Sequence, residues 1–345
     1  MGKKRAVALF SGGLDSILAA KLVMDQGVEV VGLHVRTGFH SEDVKERLGL
    51  IKDKRELPVY RAAEQIGLPL VEVDISKSYC GIIASPKYGY GRNANPCIDC
   101  KIAFLRAAKE FMEKEGFDFV ITGEVVNQRP MSQNLPALRL IEKEAGLEGL
   151  VLRPLSAKLL PPTIPEREGW VDREKLLDVS GRGRDRQLEL AERFGLKFIP
   201  QPAGGCLLTM EEIGKKVFDQ LERGEWDCDY AALVPVGRHF RLPTGTKVIV
   251  ARNKDEVRFL SRFKDRWYLL RPTTKGTVAL ILKEEEPTEE ELQTAADLVA
   301  RYSKREKKEV LVQKGDRTLR KLIGNPASEE LIGQLRLKAG SKRSA

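Results

Sequence analysis

The sequence predicts an α/β protein: a parallel five-stranded sheet with helices on both faces, followed by a second, smaller α+β domain. Three observations lead there. In the first half, short apolar runs alternate with helix-like stretches, the pattern of strands linked by crossover helices. From about residue 230 the pattern changes to short strands separated by turns and then one amphipathic helix. The 345 residues, 42% hydrophobic and 32% charged, are also enough to bury more than one core.

Residues 6–10 (AVALF) are wholly apolar and read as a buried strand. The Ala- and Leu-rich stretch 16–25 then reads as a helix. Residues 28–34, rich in Val, form the next strand, with His34 at its end. Residues 58–66 open on a proline and read as a helix, 69–73 as a strand, 100–114 as a helix and 117–121 as a strand. Pro161, Pro162 and Pro165 oppose a continuous helix. An Arg- and Glu-rich helix is expected at 185–194, and the loop Pro200-Gln201-Pro202-Ala203-Gly204-Gly205 ends at Cys206. In the second domain, strands are expected at 247–251, 267–270 and 277–282, and a helix at 288–302. The expected division is 1–180, a connecting segment 181–229 carrying a cysteine, a second domain 230–320, and a basic tail 321–345.

Net charge is +9, and residues 301–345 hold 13 Lys/Arg against 5 Asp/Glu. Such a bias suits a polyanionic partner, or simply a solvated basic helix. No apolar run reaches the ~18 residues of a membrane span, so a cytoplasmic protein without a membrane partner is expected. The five cysteines, an odd number, argue against a disulfide framework and towards metal or redox chemistry.

Directly after the first strand stands Ser11-Gly12-Gly13-Leu14-Asp15-Ser16. Two glycines let the backbone approach an anion, and the helix that follows directs its unpaired N–H groups to the same point. Neither G-x-x-x-x-G-K-[S/T] nor G-x-G-x-x-G is present. In an open α/β sheet, ligands sit beyond the carboxyl ends of the strands, where His34 and Thr122-Gly123 should also emerge. Asp15 is placed either as a metal or water ligand or as the cap of the following helix. Gln128, Arg129 and Gln133 follow in a loop that should overhang the ligand, and Arg153 would meet a phosphate or form a surface ion pair.

Cys97-Ile98-Asp99-Cys100 is expected in a loop leading into a helix at 101–114, where thiol pKa values are depressed. Alone, a C-x-x-C is ambiguous among thiol exchange, half of a zinc site and part of an iron–sulfur site. Cys206 is the obvious third thiol. Three thiolates would hold a four-iron cluster with one iron open, and a persulfide route needs no metal. Cys80 and Cys228 read as buried small hydrophobes, and His40 and His239 as structural or RNA-facing residues.

The six residues 11–16 resemble the SGGxDS fingerprint of the PP-loop ATP pyrophosphatases. Together with Asn95-Pro96-Cys97-Ile98-Asp99-Cys100-Lys101, Ile121-Thr122-Gly123-Glu124, Leu152-Arg153-Pro154-Leu155-Ser156 and Gly204-Gly205-Cys206, they follow the order of the tRNA-thiolating branch, most like MnmA and ThiI. The resemblance spans about residues 1–210. It implies that the loop Ser11, Gly12, Gly13, Leu14, Asp15 and Ser16 binds ATP, with Mg²⁺; His34, Thr122, Gly123, Gln128 and Arg153, from their expected places, are taken as further residues of that ATP site. It further implies that a tRNA uridine oxygen is adenylated and that a sulfur nucleophile displaces AMP, with Cys97 and Cys206 matching the two active cysteines; the alternative to a cluster is a persulfide route in which Cys206 carries the sulfur and Cys97 resolves it. With Cys100 as third ligand, the same residues would hold a [4Fe–4S] cluster, as in the cluster-dependent thiolases. Partners so implied are tRNA and a sulfur donor (a cysteine desulfurase, a persulfide carrier or free sulfide); a homodimer remains open.

Residues 235–315 resemble the NFACT-R RNA-binding module, through 237–245 (GRHFRLPTG), 248–253 (VIVARN), Trp267 and the Ala295-Ala296 helix ending in Tyr302-Ser303. Arg238, Arg241, Arg252 and Arg258, near Phe240 and Trp267, would offer phosphate contacts and stacking surfaces, unless the aromatics are core. Two competing readings are an enzyme that adenylates a small molecule, and a nucleotide-sensing RNA-binding factor without catalysis.

Overall fold

The computed structural model describes residues 3–199 and 205–337. The expected loop over 200–204 and the last residues of the expected tail, 338–345, lie outside the described residues. By contact the chain divides into two units, 1–43 with 51–206, and 44–50 with 207–344.

In chain order the first unit comprises β1 (Arg5–Leu9), α1 (Leu14–Met24), β2 (Glu29–Arg36), the start of α2 (Ser41–Arg47), α3 (Pro58–Glu64), β3 (Leu70–Asp74), α4 (Ser76–Ala84), α5 (Cys97–Glu115), β4 (Phe119–Thr122), α6 (Leu135–Ala145), β5 (Val151–Leu152), α7 (Ile164–Arg167) and α8 (Asp185–Arg193). The strands are all parallel, in the order β3-β2-β1-β4-β5. β1 serves both faces of the sheet by alternation. Ala6 and Ala8 pack with Ile17 and Leu18 of α1, Ala62 of α3 and Leu190 of α8. Val7 instead packs with Ile102 and Leu105 of α5 and Ile141 of α6. A wholly apolar strand is what burial on two faces requires. The order runs outward in both directions from β1, so the carboxyl ends of β1 and β4 flank the crevice where such sheets bind ligands.

The second unit holds α9 (Glu211–Leu221), α10 (Cys228–Leu233), β6 (Arg238–Arg241), β7 (Lys247–Val250), α11 (Lys254–Leu260), β8 (Tyr268–Pro272), β9 (Ala279–Leu282), α12 (Glu289–Tyr302), β10 (Lys308–Lys314), β11 (Arg317–Gly324) and α13 (Glu329–Leu335). Its six strands form one antiparallel sheet, β11-β10-β8-β9-β7-β6. α12 covers one face through Leu292, Ala295, Ala296 and Val299. The other face carries Tyr230, Leu233, Phe259, Leu260 and Trp267. Both expected fold classes are therefore present.

Some local expectations change. α5 begins at Cys97 rather than after Cys100, because the Pro96 carbonyl already accepts the Cys100 N–H at 2.8 Å. β5 has two residues, too few to show a period. Residue 321, where a tail was expected to start, lies inside β11, and Ile332 and Leu335 of α13 are core residues, so the described end of the chain is folded.

Candidate active site

The turn after β1 is shaped by close approach. Gly12 has φ +75°, and a β-carbon there would lie 2.7 Å from the Val59 Cα on α3. Gly12→Ala is expected to cost about 1–3 kcal/mol through overpacking and positive φ, measurable by urea unfolding. Gly123, just past β4, is tighter still: a β-carbon would sit 2.6 Å from the Ser16 amide nitrogen. The two central strands thus bring their following loops into contact at the start of α1.

That helix start has no side-chain cap. Gly13 is the N-cap residue, in extended conformation, so first-turn N–H groups remain for an anion. Ser16 Oγ donates to the Gly13 carbonyl at 2.8 Å, and Ser11 Oγ accepts from the Gly13 N–H at 3.3 Å. Asp15 does not cap the helix. Its Oδ2 accepts from Gln128 Nε2 at 3.0 Å, while its Oδ1 is buried with no hydrogen-bond partner. An orphaned buried carboxylate oxygen is a cation ligand in waiting, so Asp15 fits Mg²⁺.

Leu14 is a core residue and can offer only its backbone. His34 Nδ1 lies 3.0 Å from the Phe10 carbonyl, which makes that nitrogen the donor, and burial lowers the ring's pKa below its usual value. The His34 side chain therefore pins the end of β1. Thr122 Oγ1 donates to Glu124 Oε2 at 3.2 Å.

Arg153 lies inside the protein, only 3% exposed. Its Nε donates to Glu124 Oε2 at 3.0 Å, and its other arm pairs with Glu142. Lys101, one residue after Cys100, reaches Glu124 Oε1 at 3.3 Å. Burial opposes the Glu124 charge, but Lys101 and Arg153 hold its pKa below the ordinary value. These four charges form a fixed layer joining α5, α6 and the ends of β4 and β5. The structure thus places Arg153 as a support of the loop after β4.

Cys97 and Cys100 stand one turn apart on the first turn of α5, so their side chains share a face. Cys206 comes from a distant part of the chain, yet the three thiols lie within electrostatic reach of the buried Tyr79 hydroxyl, which hydrogen-bonds Cys100. Burial pushes the Cys97 thiol up, outweighing Lys101 and Arg129, and pushes Cys100 up to about 12. The depressed pKa expected from a helix N-terminus is therefore overturned by desolvation. Tyr79 was not singled out in the sequence, where its one hint is that it adjoins Cys80, and Lys101 figured only as the last residue of the motif 95–101.

Three soft thiols suit a [4Fe–4S] cluster as donors. Among the described residues, no group of three or more His, Cys, Asp or Glu side chains is placed to hold a single metal ion.

In the second unit, Phe240 and Trp267 are core residues, at 1% and 0% exposure, so neither offers a stacking face. Arg241 pairs with Asp219 and Glu225, Arg252 with Glu256, and Arg258 approaches Asp255 at 3.8 Å. Arg238 lies over the Tyr302 ring. Cys80 and His239 are buried, whereas Cys228, expected as a buried thiol, is exposed at the start of α10. Among the described residues, no helix is long and apolar enough to cross a membrane.

A family model described as thiamine biosynthesis protein (ThiI) matches residues 2–158, and one described as NFACT protein RNA binding domain matches residues 237–334. Among curated relatives, tRNA-specific 2-thiouridylase MnmA 1 of Clostridium tetani is 32% identical over 136 residues, covering 36% of this chain and 35% of the relative. The tRNA-specific 2-thiouridylase MnmA of Kocuria rhizophila is 35% identical over 127 residues, covering 34% and 32%. The chain thus spans about a third of the length of these relatives. A solved 4-thiouridine synthetase in complex with RNA and bound ATP overlaps 64% of this chain and 52% of that one, with 21% identity and a TM-score of 0.36, a likeness too loose to bear on the reaction. In one chain, then, a MnmA- and ThiI-like PP-loop domain is fused to an NFACT-R-like domain.

Proposed function

We propose that the protein is an ATP-dependent tRNA sulfurtransferase that converts a tRNA uridine to a thiouridine, releasing AMP and pyrophosphate. One observation carries the reading: the Cys97 and Cys100 pair on α5 and the distant Cys206 come within reach of Tyr79, in the unit that also holds the uncapped 11–16 loop. A protein that only binds nucleotide and RNA has no use for that trio. The names of the curated relatives support the same substrate.

The first-turn amides of α1 and the Ser11 and Ser16 hydroxyls would hold the ATP phosphates. Asp15, steadied by Gln128, would hold Mg²⁺, which offsets phosphate charge when bound. A uridine carbonyl oxygen attacks the α-phosphorus and pyrophosphate leaves, making that oxygen a good leaving group. Cys206 carries sulfane sulfur, taken from a persulfide donor that departs as a thiol. The terminal sulfur attacks the activated carbon and AMP leaves. Cys97 then attacks the Cys206 sulfur, which forms a Cys97–Cys206 disulfide and releases the thiocarbonyl, and a thiol reductant restores both cysteines. The NFACT-R-like domain would help to hold the tRNA.

A second reading keeps the same residues, with Cys97, Cys100 and Cys206 holding a [4Fe–4S] cluster that would present sulfide; the count of three thiols favours it. Iron analysis of protein purified without oxygen separates the two. The persulfide reading predicts a colourless, active protein without stoichiometric iron. A brown protein with about four irons per chain would replace it with the cluster.

A further inference from the structure

His40 belongs to none of the groups above, yet it adjoins Cys206. The two residues pair as an antiparallel bridge, which sets their β-carbons on the same side about 4.5–5.5 Å apart. The ring Cδ2 lies 3.8 Å from where a β-carbon on Gly205 would stand. Cδ2 is bonded to Nε2, so that edge of the ring faces the 205–206 segment.

The opposite edge is held. His40 Nδ1 is 3.4 Å from Asp43 Oδ2 and 3.4 Å from Thr37 Oγ1. Asp43 is 4% exposed. It accepts from Arg36 Nε at 2.9 Å, from the Gly38 N–H at 2.9 Å and from the His40 N–H at 3.3 Å. Burial opposes its charge, but these partners keep its carboxyl well below the usual carboxylate range. In the tautomer whose Nδ1–H faces the Asp43 carboxylate, Nε2 is the acceptor.

We propose that His40 is a positioning residue for sulfur transfer: anchored by Asp43 and Thr37, its Nε2 accepts the Cys206 S–H and holds that sulfur in place to receive and deliver the sulfane atom. The proposal rests on the sulfurtransferase reading of Cys206. It extends that reading to a residue that none of the motifs contains.

The test is the rate at which iodoacetamide alkylates each cysteine of the full chain, followed by peptide mass spectrometry. His40→Leu removes the acceptor at similar bulk, whereas His40→Gln keeps one. In His40→Leu, Cys206 alkylation is expected to fall roughly five- to tenfold, the scale of one hydrogen bond, while Cys97 and Cys100 are unchanged. His40→Gln should recover most of the wild-type rate. An unchanged Cys206 rate in His40→Leu, equal slowing of all three thiols, or equal slowing in both variants would overturn the proposal. Because the readout needs neither ATP nor tRNA, these outcomes are separable from failure of the sulfurtransferase reading, which shows as absence of thiouridine from the wild-type reaction.

Discussion

Replacing Cys206 by alanine is expected to abolish thiouridine formation, by at least about 10³-fold, the scale on which loss of a covalent nucleophile is felt. ATP binding should persist. Cys206 lies far from residues 11–16 in sequence, and the ATP contacts assigned to that loop are backbone amides, hydroxyls and Asp15, none of which involves a thiol. The variant therefore separates activation from sulfur delivery. Nucleoside mass spectrometry reads the first effect and calorimetry the second. Cys97→Ala should differ in kind: the sulfur reaches the uridine but the Cys206–S–S–uridine link is not cut, so the protein is trapped as a covalent adduct with tRNA that a thiol reductant releases. Loss of ATP binding in either variant would mean that the thiols serve the nucleotide site instead.

The largest stability effect is expected at Arg153. Its guanidinium sits between Glu124 and Glu142 in an almost fully buried position. Arg153→Met keeps much of the volume but leaves both carboxylates without their shared partner, and breaking a buried pair from one side costs about 3–5 kcal/mol. Urea unfolding at neutral pH measures it. Glu124 also gives the loss a pH signature. Its folded pKa is lowered, so its contribution is complete above the ordinary carboxyl pKa and disappears as pH falls through the folded value. The gap between wild type and Arg153→Met should therefore narrow in acid. A gap of under about 1 kcal/mol at pH 7 would place this ion pair among surface-like ones.

How far the sequence carried the fold differs by element. β1 and β2 were legible because strands buried on both faces read as continuous apolar runs, and α12 because its apolar stripe repeats at helical spacing and Thr288 with Glu291 forms a capping box. β10 and β11 were not. Lys308 and Lys314 end β10, and Arg317, Arg320 and Lys321 stand in β11, of which only Gly324 is buried, so the charge density reads as a tail. The 11–16 loop was legible as a motif and Gly123 was expected beside it, but not the tightness of their packing, which joins residues more than a hundred positions apart. Likewise, motif order named the three thiols, whereas the raised pKa values of Cys97 and Cys100 follow from desolvation, which local sequence does not encode. His40 was invisible for the same reason, because only the bridge to Cys206 gives it a neighbour worth naming.

The central claim, that this chain puts sulfur on a tRNA uridine, is tested most directly by mass spectrometry of tRNA nucleosides from cells lacking the gene. One thiouridine species should vanish and return when the wild-type gene is restored, but not when Cys206→Ala is supplied. A full set of thionucleosides in the deletion strain would contradict the account.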